Sequence, residues 1–154
     1  MLFSKLTAPP PNTAAKPVPT AAAPIQTIGP RGRILVVDDS AMIRTAVTKT
    51  LVQNNYVITQ AENGRLGLET WSKDQSAFDL VLSDVFMPEM DGLSMAREIR
   101  KLSRSVPILL MSSKLDENTR WIAEEAGFRL LPKPFKDEVL LLLVDRLIRT
   151  PRPA

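Results

Sequence analysis

A chain of 154 residues, 44% hydrophobic and 24% charged, has room for one ordinary globular domain and some extra. It contains neither cysteine nor histidine, which excludes disulfides, zinc fingers, a thiol nucleophile and an imidazole base, so any chemistry runs on carboxylates, hydroxyls and amines. The net charge of +3 comes from the ends, because residues 34–148 hold 14 basic and 17 acidic residues; this argues against a nucleic-acid-binding face on the folded part.

Residues 1–31 hold 7 of the 13 prolines, many alanines and no periodic apolar pattern. Such a segment cannot bury enough surface to offset its ordering entropy, so it reads as a disordered tail. Its apolar start is too short and too soon interrupted by Lys5 for a signal peptide, and no run reaches membrane-spanning length. A cytoplasmic protein is the expectation. From residue 32 to 150 short apolar runs alternate with amphipathic stretches, and residues 151–154 read as a loose C-terminus.

The first run, RILVVDD, is a strand ending on Asp38 and Asp39, followed by a helix capped by Ser40 with Met42, Ile43, Ala46, Val47, Thr50 and Leu51 at helical spacing. YVITQAE is a second strand, and NGRLGLETWSKDQ a helix with Leu66, Leu68 and Trp71 for its inner face. DLVLSD is a third strand, followed by a helix opened by Asp91 with Leu93, Ala96, Ile99 and Leu102 on one side. PILLMSS is a fourth strand, with a helix closed by Gly127. RLLPK is a fifth, and KDEVLLLLVDRLIR a last helix. In that helix Leu140, Leu143 and Leu147 suit the core. Leu141, Val144 and Ile148 form a second stripe that suits either a partner or a wide core face.

Strict alternation with near-continuous apolar strands predicts an α/β fold, a doubly wound five-stranded parallel sheet of (βα)5, flavodoxin-like type, with strand order 2-1-3-4-5. Asp38, Asp39, Asp84, Ser112 and Lys133 then fall at strand carboxyl ends on one sheet edge. An apolar strand ending on Asp84 needs an exposed end or a site, since a buried charge is costly unless paired or metal-bound. Three carboxylates converging there would raise one another's pKa unless a cation is present, and an oxygen-only donor set favours Mg2+ or Mn2+.

The ordered pieces ILVVDDS, DLVLSDVFMPEMDG, PILLMSS and PKPF, spread over about residues 33–149, resemble the receiver domain of two-component response regulators, of the chemotaxis-regulator type. The resemblance implies that Asp84 is the phosphoacceptor. It implies that Asp39 and Asp84 ligate Mg2+ directly, with Asp38 acting through water and the Phe86 backbone carbonyl as a further ligand. Lys133 would pair with a phosphoryl oxygen, Ser112 would hydrogen-bond another as the switch residue, and Pro134 would follow a cis peptide. Leu130 stands where the family usually has the aromatic switch residue. Phe86 and Lys114 occupy positions that in the family tune dephosphorylation, and here they predict a slow self-dephosphorylation.

The implied protein is a stand-alone receiver, phosphorylated by a histidine kinase or phosphotransfer protein. It would signal through a downstream protein or a self-dimer on the face from the fourth to the fifth helix, with no DNA-binding domain. Two rivals differ in class. An aspartate-nucleophile phosphatase of the haloacid dehalogenase type needs an acid at position 86, where phenylalanine stands. A phosphorylation-independent scaffold would bind a protein, or an anionic nucleotide through Arg97, Arg100 and Arg104, although those charges also suit a solvated helix face.

Overall fold

The computed structural model describes residues 29–152, so most of the expected N-terminal tail and residues 153–154 lie outside the described residues. Ten elements alternate: β1 Gly32–Val37, α1 Ala41–Gln53, β2 Tyr56–Ala61, α2 Gly64–Lys73, β3 Leu80–Asp84, α3 Gly92–Leu102, β4 Ile108–Ser112, α4 Glu117–Ala126, β5 Arg129–Pro132 and α5 Asp137–Arg149. The strands pair in parallel in the order β2-β1-β3-β4-β5, as the sequence predicts.

Burial explains the strand sequences. Every residue of β3 and β4 is buried, which is why LVLSD and ILLMS carry no alternation, whereas the edge strands β2 and β5 mix exposed and buried positions. Two cores cover the sheet. One gathers Leu35, Val37, Val81 and Leu110 under Trp71 of α2, Met95 and Ile99 of α3 and Ala123 of α4. The other gathers Ile34, Val36, Leu82, Leu109 and Leu131 under Val47 and Leu51 of α1 and Leu140 and Val144 of α5. Each fully buried aliphatic or aromatic side chain stabilises by about 1.5–3 kcal/mol relative to exposure.

The helix boundaries follow local chemistry. Ser40, Asn63, Asp91 and Asp116 each accept the N–H of the residue three positions on, in the helix they open. Gly127 closes α4 with φ +77°, a left-handed conformation in which its N–H reaches the Ala123 and Glu124 carbonyls.

Three helix faces depart from the sequence reading. In α1 Met42 is 80% exposed and Ala46 is also exposed, leaving Val47 and Leu51 as the buried residues. In α3 Leu102 is exposed, and Met95 takes the core place beside Ala96 and Ile99. In α5 the supposed second stripe is core: Val144 is fully buried, and Leu141 and Ile148 pack with Leu143 and Leu147 along its two margins. The apolar residues α5 leaves to solvent are Val139 and Leu142. Spacing fixes a helix face only to within about one residue's rotation, roughly 100°, and the sheet beneath sets where its centre lies.

At the ends of the domain, the Arg31 N–H donates to Asn55 O, and its guanidinium pairs with Asp145 at 2.6 Å and lies over the Tyr56 ring. Arg152 reaches Asp79.

Candidate functional site

The register builds the site. Val37 of β1 pairs with Ser83 of β3, so the next step of each strand brings Asp38 and Asp84 side by side. Asp84 pairs with Met111 of β4, Ser112 pairs with Pro132 of β5, and the Lys133 N–H donates to Ser112 O at 2.8 Å. Four chain segments thus deliver their polar residues to one edge.

Asp38, Asp39 and Asp84 each offer a carboxylate oxygen within 4.8 Å of the others. Asp38 and Asp84 are buried and Asp39 is exposed. Lys133 Nζ lies 3.0 Å from Asp84 Oδ1 and 3.4 Å from Asp38 Oδ2. Asp38 is further held by the Ser40 N–H, 2.9 Å from its Oδ1, and its carbonyl accepts from Arg44 at 2.6 Å. The Lys133–Pro134 peptide is cis. This all-oxygen set with two buried carboxylates and one lysine suits a hard divalent ion, which would relieve the excess negative charge.

Burial pushes the Asp84 carboxyl above the usual carboxylate range; the hydrogen bond and charge of Lys133 pull it down, and Asp38 and Asp39 push it up again. The folded state therefore holds that proton more tightly than the unfolded state does, so the ionised carboxyl opposes folding. Its relative stabilisation is fully present below the unfolded value and lost as pH rises through the folded one. Without metal, Asp84→Asn is expected to be more stable than the parent near neutrality, and that advantage should shrink as pH falls through the raised pKa toward about pH 4. Urea midpoints for both proteins across that window check this; a variant less stable at neutral pH would contradict the charge argument.

Ser112 is buried at the end of β4, and its hydroxyl is engaged in its own loop, donating to Lys114 O at 2.8 Å and accepting from Lys114 N–H at 3.0 Å. Leu130 is half-buried in β5 against the α2–α3–α4 core. Phe86 follows the site with a side chain 49% exposed. Lys114 is exposed as well.

Two positions with no role in the sequence reading support the site from behind. Gly92 opens α3 so close to β3 that a Cβ would meet Asp84 O at 2.0 Å and Ser83 Oγ at 3.0 Å; its N–H donates to Val85 O at 2.7 Å. Ser83 is buried and donates to Asp84 O at 2.8 Å. A glycine after Asp91 reads as turn chemistry, and a serine within an apolar strand carries no signal of its own.

A family profile described as response regulator receiver domain matches residues 34–145. The chain is 36% identical over 122 residues to the "Response regulator MprA" of Mycolicibacterium vanbaalenii, covering 79% of this chain and 52% of that protein. It is 39% identical over 119 residues to the "Transcriptional regulatory protein ResD" of Bacillus subtilis, covering 76% and 48%. The chain thus spans about half the length of these curated relatives. Among solved structures, the Vibrio cholerae chemotaxis protein CheY4 superimposes with a TM-score of 0.69 at 33% identity, covering 75% of this chain and 97% of that one. The non-phosphorylated HemR receiver domain of Leptospira biflexa gives 0.73 at 28%, covering 79% and 98%.

Proposed function

The chain belongs to the response regulator receiver domain family of two-component systems, and on that premise we propose that Asp84 accepts a phosphoryl group in a Mg2+-dependent reaction (Mn2+ has the same donor preferences). The carrying observation is the convergence of Asp38, Asp39, Asp84 and Lys133, with two of the carboxylates buried. Asp39 and Asp84 would hold the ion directly, Asp38 through water, and the Phe86 carbonyl would complete the set. When bound, it supplies positive charge that neutralises phosphoryl oxygens.

On the family premise, the donor is a phosphohistidine of a histidine kinase or phosphotransfer protein. An Asp84 carboxylate oxygen attacks phosphorus, the P–N bond breaks, and its electron pair returns to the donor imidazole, leaving an aspartyl phosphate. Lys133, already at hydrogen-bond distance from Asp84, is placed to exchange that contact for a phosphoryl oxygen. Ser112 would have to leave its bonds to Lys114 to reach another oxygen, which makes it, beside Lys133, a residue whose partners change on phosphorylation. Leu130 is the position such a switch would repack.

Donor docking is favoured by a groove of about 420 Å³ lined by Ile43, Ala46, Val47, Pro134 and Phe135, which includes Lys133 in its wall. Output by protein–protein contact or self-dimerisation is favoured on the α4–β5–α5 side, where Trp121 is 62% and Leu142 57% exposed. No helix among the described residues is long and apolar enough to cross a membrane, and a cytoplasmic site of action fits a kinase donor.

Intact-mass analysis after incubation with acetyl phosphate and Mg2+ tests the reading. One phosphoryl adduct, absent with EDTA, is expected; no adduct would favour the phosphorylation-independent scaffold. Metal binding has a separate readout. At about a hundred times its dissociation constant Mg2+ should stabilise the fold by about 2.7 kcal/mol, seen as a higher urea midpoint, and Asp39→Asn should lose most of that gain. A midpoint indifferent to Mg2+ would contradict the ligand set.

A further inference from the structure

A second polar concentration lies at the other edge of the sheet, where β4 and β5 begin. A cavity of about 650 Å³ is lined by Arg97, Arg100, Lys101 and Arg104 of α3 and its following loop, and by Ala126, Gly127 and Phe128. It stands off the Asp84 site by about the length of β4, five residues at roughly 3.3 Å each, or about 16 Å.

Most of the charge there is not matched by carboxylates. Lys101 pairs with Glu98 at 2.8 Å, but none of the ion pairs among the described residues involves Arg97, Arg100 or Arg104, and residues 1–28 contain no acidic side chain to supply one. Arg100 is half-buried. Its Nη1 donates to Ser103 O at 3.2 Å and Val106 O at 2.9 Å, and its guanidinium lies 5.4 Å from the Phe128 ring centroid. Those contacts fix the plane of the group and leave Nη2 and Nε without an acceptor among the described residues. Burial without a counter-charge also lowers the Arg100 pKa, the mark of a cation that an anion would stabilise.

The helix dipole accounts for Arg100 and Lys101 in the last turn of α3, where cations are favoured. It does not account for Arg97, a turn earlier, or for Arg104 beyond the helix. Glu98 answers Lys101 alone, so Arg97, Arg100 and Arg104 gather around an open depression with no carboxylate paired to them among the described residues. Because residues 34–148 carry a net charge of −3, long polyanions such as nucleic acid would be repelled by the rest of the surface. A small, highly charged anion confined to the cavity would not. Guanidinium groups bind phosphate oxygens in paired hydrogen bonds, and a fixed arginine loses less entropy in doing so.

We propose that this cavity binds a compact polyphosphate group, of the kind carried by nucleoside diphosphates and triphosphates, through Arg97, Arg100, Lys101 and Arg104. The site is independent of Asp84 chemistry, so either can fail without the other.

The test titrates the full-length 15N-labelled chain with orthophosphate, pyrophosphate and ADP in turn, with EDTA present to silence metal-assisted binding at the acidic cluster. Saturable amide shifts confined to residues 97–104 and 126–128 are expected, with pyrophosphate binding at least about tenfold more tightly than orthophosphate. ADP binding more tightly than pyrophosphate would assign the ligand as a nucleotide, and equal binding would assign the polyphosphate alone; both support the site. The double variant Arg97→Gln/Arg104→Gln should bind at least about tenfold more weakly with an unchanged melting temperature, since both side chains are exposed. Lack of saturation in the millimolar range, shifts centred on Asp38, Asp84 and Lys133, or equal binding by the double variant would each overturn the proposal.

Discussion

Asp84→Asn is expected to abolish phosphorylation by acetyl phosphate, lowering adduct formation at least about a hundredfold, while leaving the domain folded. The amide keeps the shape of the carboxyl and can still accept from Lys133, but it has no anionic oxygen to attack phosphorus. It also removes one of three carboxylates that lie within 4.8 Å of each other, so a metal-free variant that is more stable than its parent would exclude unfolding as the reason for lost reactivity. Asp38→Asn and Asp39→Asn leave Asp84, the proposed nucleophile, in place and should reduce the rate rather than eliminate the adduct. Intact-mass analysis of the three variants in parallel separates nucleophile from charge cluster. An adduct of parental yield in Asp84→Asn would place the phosphoacceptor elsewhere and sink the assignment.

Gly92→Ala should be strongly damaging, destabilising by about 3 kcal/mol and lowering the melting temperature by roughly 10 °C. The added Cβ would lie 2.0 Å from Asp84 O, a backbone atom in a fully buried strand. A flexible side chain could move aside, but a main-chain carbonyl can do so only if β3 or the start of α3 shifts. That shift would break the Gly92 N–H to Val85 O bond and displace Asp84 itself. The variant should therefore lose phosphorylation rate beyond what its reduced stability explains. Gly29→Ala, whose Cβ meets nothing within 4 Å, provides the neutral comparison. Urea midpoints decide: a loss in Gly92→Ala below about 0.5 kcal/mol, the range of ordinary surface changes, would mean that α3 does not sit so close to β3.

These two residues were unequally visible in the sequence. Asp84 stood out because a run of apolar residues ended on a charge, at the same relative place where other runs ended on Asp38, Ser112 and Lys133. Gly92 looked like half of an ordinary turn. Its requirement comes from how near two backbones approach, and no pattern of polarity encodes a backbone separation. The basic cavity was half visible. Arg97, Arg100 and Arg104 recur at helical spacing, but Ala126, Gly127 and Phe128, which complete the concavity, are brought there only by the turn from α4 into β5.

By itself the sequence determined the alternation of strands and helices, the parallel sheet and its order, and the sheet edge that collects the carboxylates. Apolar periodicity and strand-end chemistry are local properties, and the right-handed crossover leaves few ways to assemble them. Only the tertiary structure decided which carboxylates Lys133 touches, that Ser112 is engaged with Lys114, that α5 buries Val144 rather than presenting it, and that Met42 and Leu102 face solvent. Those outcomes depend on helix rotation over the sheet and on how closely segments distant in sequence approach one another. They are fixed by packing the whole domain at once, so no single stretch of the chain contains them.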